Sequence, residues 1–211
     1  MTAAEARVDR AEKRQVDKFE LRRQELADAA LQTLSELGYA RTSLREIAQN
    51  SAFSHGVLHY YFRDKVDLIT YCVRRYKAEC VRRYDRIVTD SDTAAQVARD
   101  FGAGLAATMA EDGTMHRLWY DLRSQALFET SFREDVLEID ATLQDMVWRI
   151  VSRYAELAGA EVITSPAVTY AMFDGQFQQA LLHHLAGDPG AGPRLDAAAR
   201  QLLTMVVPIT R

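Results

Sequence analysis

Between Gly38 and Lys65 the chain compresses two short helices, a tight turn and the start of a third helix into 28 residues, and that spacing leaves few folds open. Ser43 and Glu46 form a capping-box pattern, in which the serine oxygen accepts from the Glu46 backbone N–H and the glutamate reaches back to the cap. Leu44, Ile47 and Ala48 then share one helical face, with Arg45 and Gln49 opposite. This helix is expected to run out near Ser51. Ser54 is the next cap and predicts a second helix from His55 to Tyr61. Val57 or Leu58, with Tyr61 and Phe62, forms its apolar side, which leaves His55, Gly56, His59 and Tyr60 outward. Asp64 caps the next helix, with Asp67 at the fourth position of its box and Lys65 in the first turn. A helix N-terminus beside a lysine suits a phosphate. The outward hydroxyls, imidazoles, phenol and cations are groups that hydrogen-bond to phosphates and base edges. The spacing reads as a helix-turn-helix whose second helix enters a DNA major groove.

The pattern Gly38-Tyr39, Thr42-Ser43, Ile47-Ala48, Ser54-His55-Gly56, Tyr60-Tyr61-Phe62 and Lys65 resembles the DNA-binding domain of the tetracycline-repressor (TetR) family. The resemblance covers roughly residues 20 to 70. It departs at Ala52, where the family has glycine in the turn, and at His59, where it has an aromatic. Register with the family implies that Thr42, Ser43, Ser54 and Lys65 meet phosphates. His55, His59 and Tyr60 would face bases or nearby backbone, and Arg41, Arg45 and Gly56 complete the expected DNA-binding set. The run from Tyr60 to Lys65 also looks like the choline-responsive branch of that family, which would imply a quaternary ammonium ligand held by cation–π contacts.

Net charge is only −4, which fits a DNA binder once it is divided. Residues 1–90 carry +3 and residues 91–211 carry −7, and between Gly38 and Val88 there are 10 basic and 5 acidic residues. The positive field is local, at one end of an acidic chain. A rival reading, a sequence-indifferent architectural DNA-binding protein, would need a broad basic surface that the acidic remainder does not offer. Arg7, Arg10, Lys13, Arg14 and Lys18 could reach phosphates or a minor groove, but they alternate with Glu5, Asp9, Glu12 and Asp17. The arm, residues 1–18, is therefore expected to be a frayed, solvated helix extension. Apolar runs are too short to span a membrane, and the first residues lack the apolar core of a signal peptide. Cys72 and Cys80, eight residues apart on one helix, are too far apart to bridge. Unpaired thiols without an export signal point to the cytoplasm.

Helical periodicity continues to the end of the chain, so the expected class is all-α. A first helix is predicted over 16–37 on Phe19, Leu26, Ala30 and Leu34, ended by Gly38. A connector over 65–88 buries Ile69, Cys72, Tyr76, Cys80 and Ile87 and leaves its arginines solvated. Gly113 is expected to break the chain between helices over 93–110 and 114–128. Phe132, Val136, Ile139, Leu143, Met146, Ile150 and Tyr154 stripe the next, and Ser165-Pro166 opens another. Residues 187–193 form a loop, with Pro193 starting the last helix. Nine helices is the number the resemblance implies, with a DNA-binding domain over 19–64 and a ligand-binding and dimerisation domain over 65–211.

Aromatics beside polar groups mark an expected small-molecule inducer site: Met109, Trp119, Tyr120, Arg123, Phe128, Trp148, Phe173 and Phe177. The resemblance assigns the last two helices to a homodimer interface, for which Tyr170, Asp174, Gly175, Gln178, Leu181, Leu185, Leu202 and Met205 are the expected residues. Gly175, a glycine inside a helix, is read as permitting close approach at that seam. No catalytic set, cofactor or metal is expected. His55 and His59 have the spacing of a zinc protease pair, but Gly56 stands where that chemistry needs a glutamate. His116 is read as a surface or loop histidine, and the two cysteines as small core residues.

Overall fold

The computed structural model describes residues 5–38 and 42–208, with side chains from residue 15 onward except 32, 35 and 36. Among these residues there are eight helices and no strand: α1 (Glu5–Leu37), α2 (Leu44–Gln49), α3 (His55–Tyr61), α4 (Lys65–Asp90), α5 (Ala94–Gln125), α6 (Arg133–Ala158), α7 (Pro166–Leu185) and α8 (Ala191–Val206). The chain divides into a head, Met1–Cys72, and a body, Val73–Arg211, with the division inside α4.

In the head, α1 begins at Glu5, well before the expected Val16, so most of the anticipated arm is helical backbone. Gly38 ends it with φ 75°, a conformation that glycine adopts without steric cost. Leu26, Ala27, Ala30 and Leu34 meet Leu44, Ile47, Leu58, Phe62, Leu68 and Ile69 in one apolar core. Phe19 is less buried than its stripe predicts and instead stacks on Tyr61, ring centroids 4.7 Å apart. The caps form as read. Ser43 Oγ accepts from Glu46 N–H at 3.2 Å while Ser43 N–H donates to Glu46 Oε2 at 2.7 Å. Ser54 Oγ accepts from Val57 N–H. Asp64 Oδ1 accepts from Asp67 N–H, and Asp67 reaches back one residue further than its box predicts, to Arg63 N–H. No motif announced Arg23, whose guanidinium lies 4.8 Å from the Phe62 ring and 4.5 Å from the Tyr71 ring and pairs with Asp67.

In the body, the break expected at Gly113 falls one residue earlier, where Asp112 leaves the helical region (φ −119°, ψ 23°) and kinks α5. The two helical segments are continuous across that kink as one element, so the described count is eight. Gly113 is buried, and a Cβ there would sit 3.4 Å from the His184 ring, an ordinary van der Waals distance, so packing does not demand glycine at this position. The predicted α6 stripe is buried at every position. Ser165 caps α7, with Pro166 in the first turn. α8 starts at Ala191, two residues before Pro193; a proline in the first turn lacks only an N–H that has no intrahelical partner. Cys72 and Cys80 are buried free thiols.

Candidate functional site

The head presents one polar face. α3 buries Leu58 and its C-cap Phe62 completely and turns His55, Gly56, His59 and Tyr60 to solvent, Tyr60 being 73% exposed. The rings of His55 and His59 meet edge to face at 4.4 Å, and Tyr60 stands edge-on to Tyr61. This leaves two imidazoles and a phenol on one side of a short capped rod. Ser43, Arg45 and Ser54 are exposed nearby in sequence, and Lys65 is half-buried at the start of α4. Thr42 is corrected: its side chain is buried and its hydroxyl donates to the Gly38 carbonyl at 2.6 Å, so it steadies the end of α1 and is spent before a phosphate could use it. Arg41 lies outside the described residues. Arg63, with 87% of its side chain exposed, was not singled out by motif reading. No described non-glycine residue has a positive φ, so Ala52 sits in the turn without backbone strain.

The body holds a part-open cavity of about 60 Å³ between α4, α5, α6 and α7. Of the predicted ligand residues, Trp119, Tyr120, Phe173 and Phe177 line it. Met109 is fully buried outside the lining, and Trp148 is half-buried, also outside it. Phe128 is corrected: it lies in the turn after α5, past the C-cap, and is 84% exposed. Arg123 does not line the cavity but grips Asp174, which does, at 2.5 Å. Asp174 also accepts from Tyr120 Oη at 2.9 Å, Arg123 approaches Asp140 at 3.4 Å, and Tyr170 Oη donates to Asp140 at 2.8 Å. Burial, and then the nearby carboxylates, push the Tyr120 and Tyr170 phenols up, so both stay protonated donors.

Opposite this network sits a polar trio that sequence reasoning missed. His116 is buried, not a surface histidine: its Nε2 lies 2.9 Å from Tyr76 Oη and its Nδ1 lies 3.0 Å from Lys77 Nζ. Burial, then the Lys77 and Arg83 charges, hold the imidazole far below its usual range, so it is neutral. Burial also pushes Lys77 down to about 8, which leaves most of it charged at pH 7. A charged Lys77 donates to Nδ1, which puts the ring proton on Nε2, facing Tyr76 Oη. Lys77 Nζ lies 5.6 Å from the Trp119 and Tyr76 rings. Among the described residues no group of three or more His, Cys, Asp or Glu is placed to hold a metal, and no helix is long and apolar enough to cross a membrane.

The predicted dimer residues separate into two kinds. Gly175, Gln178, Leu185 and Met205 are exposed on α7 and α8, and nothing lies within 4 Å of a Cβ built at Gly175. Tyr170, Leu181 and Leu202 are buried within the protomer and Asp174 is engaged inside it, which corrects their assignment to a partner surface. An apolar helix face gives no sign of which neighbour covers it, whether its own body or another chain.

Residues 26–72 match the family model described as bacterial regulatory proteins, tetR family. The HTH-type transcriptional regulator BetI of Yersinia pestis (strain Pestoides F) is 30% identical over 80 residues, 36% of this chain and 40% of that protein. BetI of Paraburkholderia xenovorans (strain LB400) is 29% identical over 120 residues, 54% of this chain and 59% of that protein. The chain therefore spans 40% to 59% of the length of these curated relatives. Among solved structures, the transcriptional regulator FadR from Bacillus subtilis, in complex with stearoyl-CoA, is similar with a TM-score of 0.67 at 17% identity, over 89% of this chain and 99% of that one. A TetR transcription regulator from Haloarcula marismortui is similar with a TM-score of 0.72 at 16% identity, over 88% and 97%. At these identities the likeness is one of fold.

Proposed function

We propose that this chain, a TetR-family helix-turn-helix transcriptional regulator, acts in the cytoplasm as a homodimeric repressor that holds a palindromic operator and releases it when a small molecule enters the body cavity. The observation that carries the reading is α3 itself: its apolar side is sealed by Leu58 and Phe62, while the whole opposite side offers imidazole, phenol and backbone to solvent. On that side His55 and His59 are exposed, and Tyr60, though its ring edges against Phe19 and Tyr61, is 73% exposed. A DNA major groove suits such a face.

Dimerisation is supported by what α7 and α8 leave uncovered. Val168, Leu182, Leu185 and Met205 are exposed apolar side chains, and Ala171 and Gly175 between them are small. A two-fold axis through such a face would set paired α3 helices about 34–36 Å apart, or further on a longer operator. Coupling would run through α4, one continuous helix whose first residues belong to the head and whose remainder walls the cavity. Base contacts tolerate little misplacement, so a small shift of α4 in the body is enough to weaken binding.

The alternative, architectural binding without sequence preference, is distinguished by selecting duplexes from a random library and titrating salt. The selected duplex should bind at least about a thousandfold more tightly than random duplex at physiological salt. A ratio near one at every salt concentration would favour the architectural reading.

A further inference from the structure

We infer that the body cavity takes a compact monocarboxylate with an apolar body, its carboxylate hydrogen-bonded to Lys77; this rests on the reading of the cavity as the inducer site. Lys77 is only 5% exposed and carries three N–H donors, of which one meets His116 Nδ1. No carboxylate among the described residues lies within ion-pair distance of it. Asp174 is spent on Tyr120 and Arg123, and Asp112 faces Arg83 at 3.6 Å. Buried cations are ordinarily paired, because an uncompensated charge away from water is costly. Here a charged lysine with two unmet donors lines a cavity otherwise walled by Phe101, Leu105, Val147 and Phe173.

A carboxylate supplies what is missing: two acceptor oxygens and one negative charge. A phosphate dianion would bring more acceptors and charge than Lys77 can meet. A quaternary ammonium, which the resemblance to the choline-responsive branch implied, would meet a like charge at the cavity wall. At about 60 Å³, under half the roughly 150 Å³ that holds benzene, the cavity favours a small acid, and a larger one would extend into its open side.

The charge that recruits the acid is also titratable. Lys77 is faced by Tyr76 and Cys80 on its own helix, by Asp112, His116 and Arg123 on α5, and by Asp174 on α7. Burial pushes the Tyr76 and Cys80 protons to higher pH and holds His116 neutral. Lys77, pushed down to about 8, is therefore the group whose charge changes just above neutrality. Affinity for the acid should be flat below that pH and fall about tenfold per unit above it.

The full chain should be titrated, with tryptophan fluorescence and thermal shift as readouts. The probes are acetate, propionate, benzoate and hexanoate, each against its amide, and phenyltrimethylammonium. At pH 7 at least one acid is expected to bind about ten- to a hundredfold more tightly than its amide, and Lys77→Met and Lys77→Gln should lose that preference. Removing a buried charge while keeping most of the side-chain length is not expected to unfold the body, and a melt of each variant checks this. The parent's acid-to-amide ratio and pH profile decide the matter even if both variants misfold. Equal binding of acid and amide, tighter binding of phenyltrimethylammonium, or no binding by any acid would overturn the inference. If a selected duplex is released by another ligand class while the acids do not bind, the regulator reading stands and the carboxylate inference falls. Lys77-dependent acid binding that leaves every duplex unaffected removes the regulator reading and keeps the cavity chemistry.

Discussion

His116 shows how much a single side chain can hold in place. It accepts from Lys77 on one ring nitrogen and meets Tyr76 on the other, and it packs against the Phe177 ring at 4.5 Å. In the unfolded chain its imidazole takes a proton as pH falls through about 6.5, whereas in the folded body burial keeps it neutral. The unfolded state then binds more protons, so stability is lost on acidification by up to about 1.4 kcal/mol per pH unit below that point. Urea denaturation at pH 7 and pH 5.5 should show the loss, and His116→Gln should flatten that part of the profile. An unchanged profile in the variant would mean that His116 is not the group responsible. Residues of this kind were not legible in the sequence. Ser43, Ser54 and Ser165 were, because a cap is decided by atoms three residues away. His116 and Lys77 stand 39 residues apart, and only the packing of α4 against α5 makes them neighbours. Thr42 was misread for the related reason that its hydroxyl has a nearer acceptor, the carbonyl four residues back.

At the scale of elements, the stripe of α6 emerged from period alone, since apolar residues at helical spacing have one face to bury. By contrast, α4 also buries Val73, Lys77 and Tyr84, which its predicted stripe omitted, and leaves Tyr76 and Ile87 half-buried. The break expected at Gly113 took the form of a kink at Asp112, one residue earlier, because a glycine inside a helix signals an end, a kink or a close approach, and its own neighbours do not say which. The same ambiguity can be tested at Gly102. A Cβ there would lie 2.9 Å from the Asp196 backbone oxygen and still closer to that residue's carboxylate, so α5 and α8 meet at a point where only hydrogen fits. Helix propensity alone predicts that Gly102→Ala stabilises by about 1 kcal/mol. The contact predicts the opposite, a loss of about 1–3 kcal/mol from overpacking, read as a lower melting temperature. A melting temperature at or above the parent's would show that the two helices part easily there.

For the whole molecule, the division into two units is sharper than the division of charge. The head, Met1–Cys72, carries 11 Lys+Arg and 11 Asp+Glu and presents the α3 face. The body, Val73–Arg211, carries 15 and 19, holds the cavity and leaves the α7 and α8 surfaces uncovered. The caps and turn of the head were legible because each lies within a few residues, while Arg23 and the buried Thr42 depend on contacts the sequence does not announce. The body was legible as helices but not as a site, since four helices distant in sequence contribute its lining. The central claim is that α3 reads bases while the start of α4 holds backbone. It is tested most directly by measuring the affinities of the parent, His55→Ala and Lys65→Ala for a selected duplex and for single-base variants of it. Lys65→Ala should weaken all duplexes alike and shallow the salt dependence, while His55→Ala should cost about 1–3 kcal/mol on the selected duplex and narrow the gap to its variants. If both proteins bind every duplex as the parent does, α3 is not the reading element and the account fails.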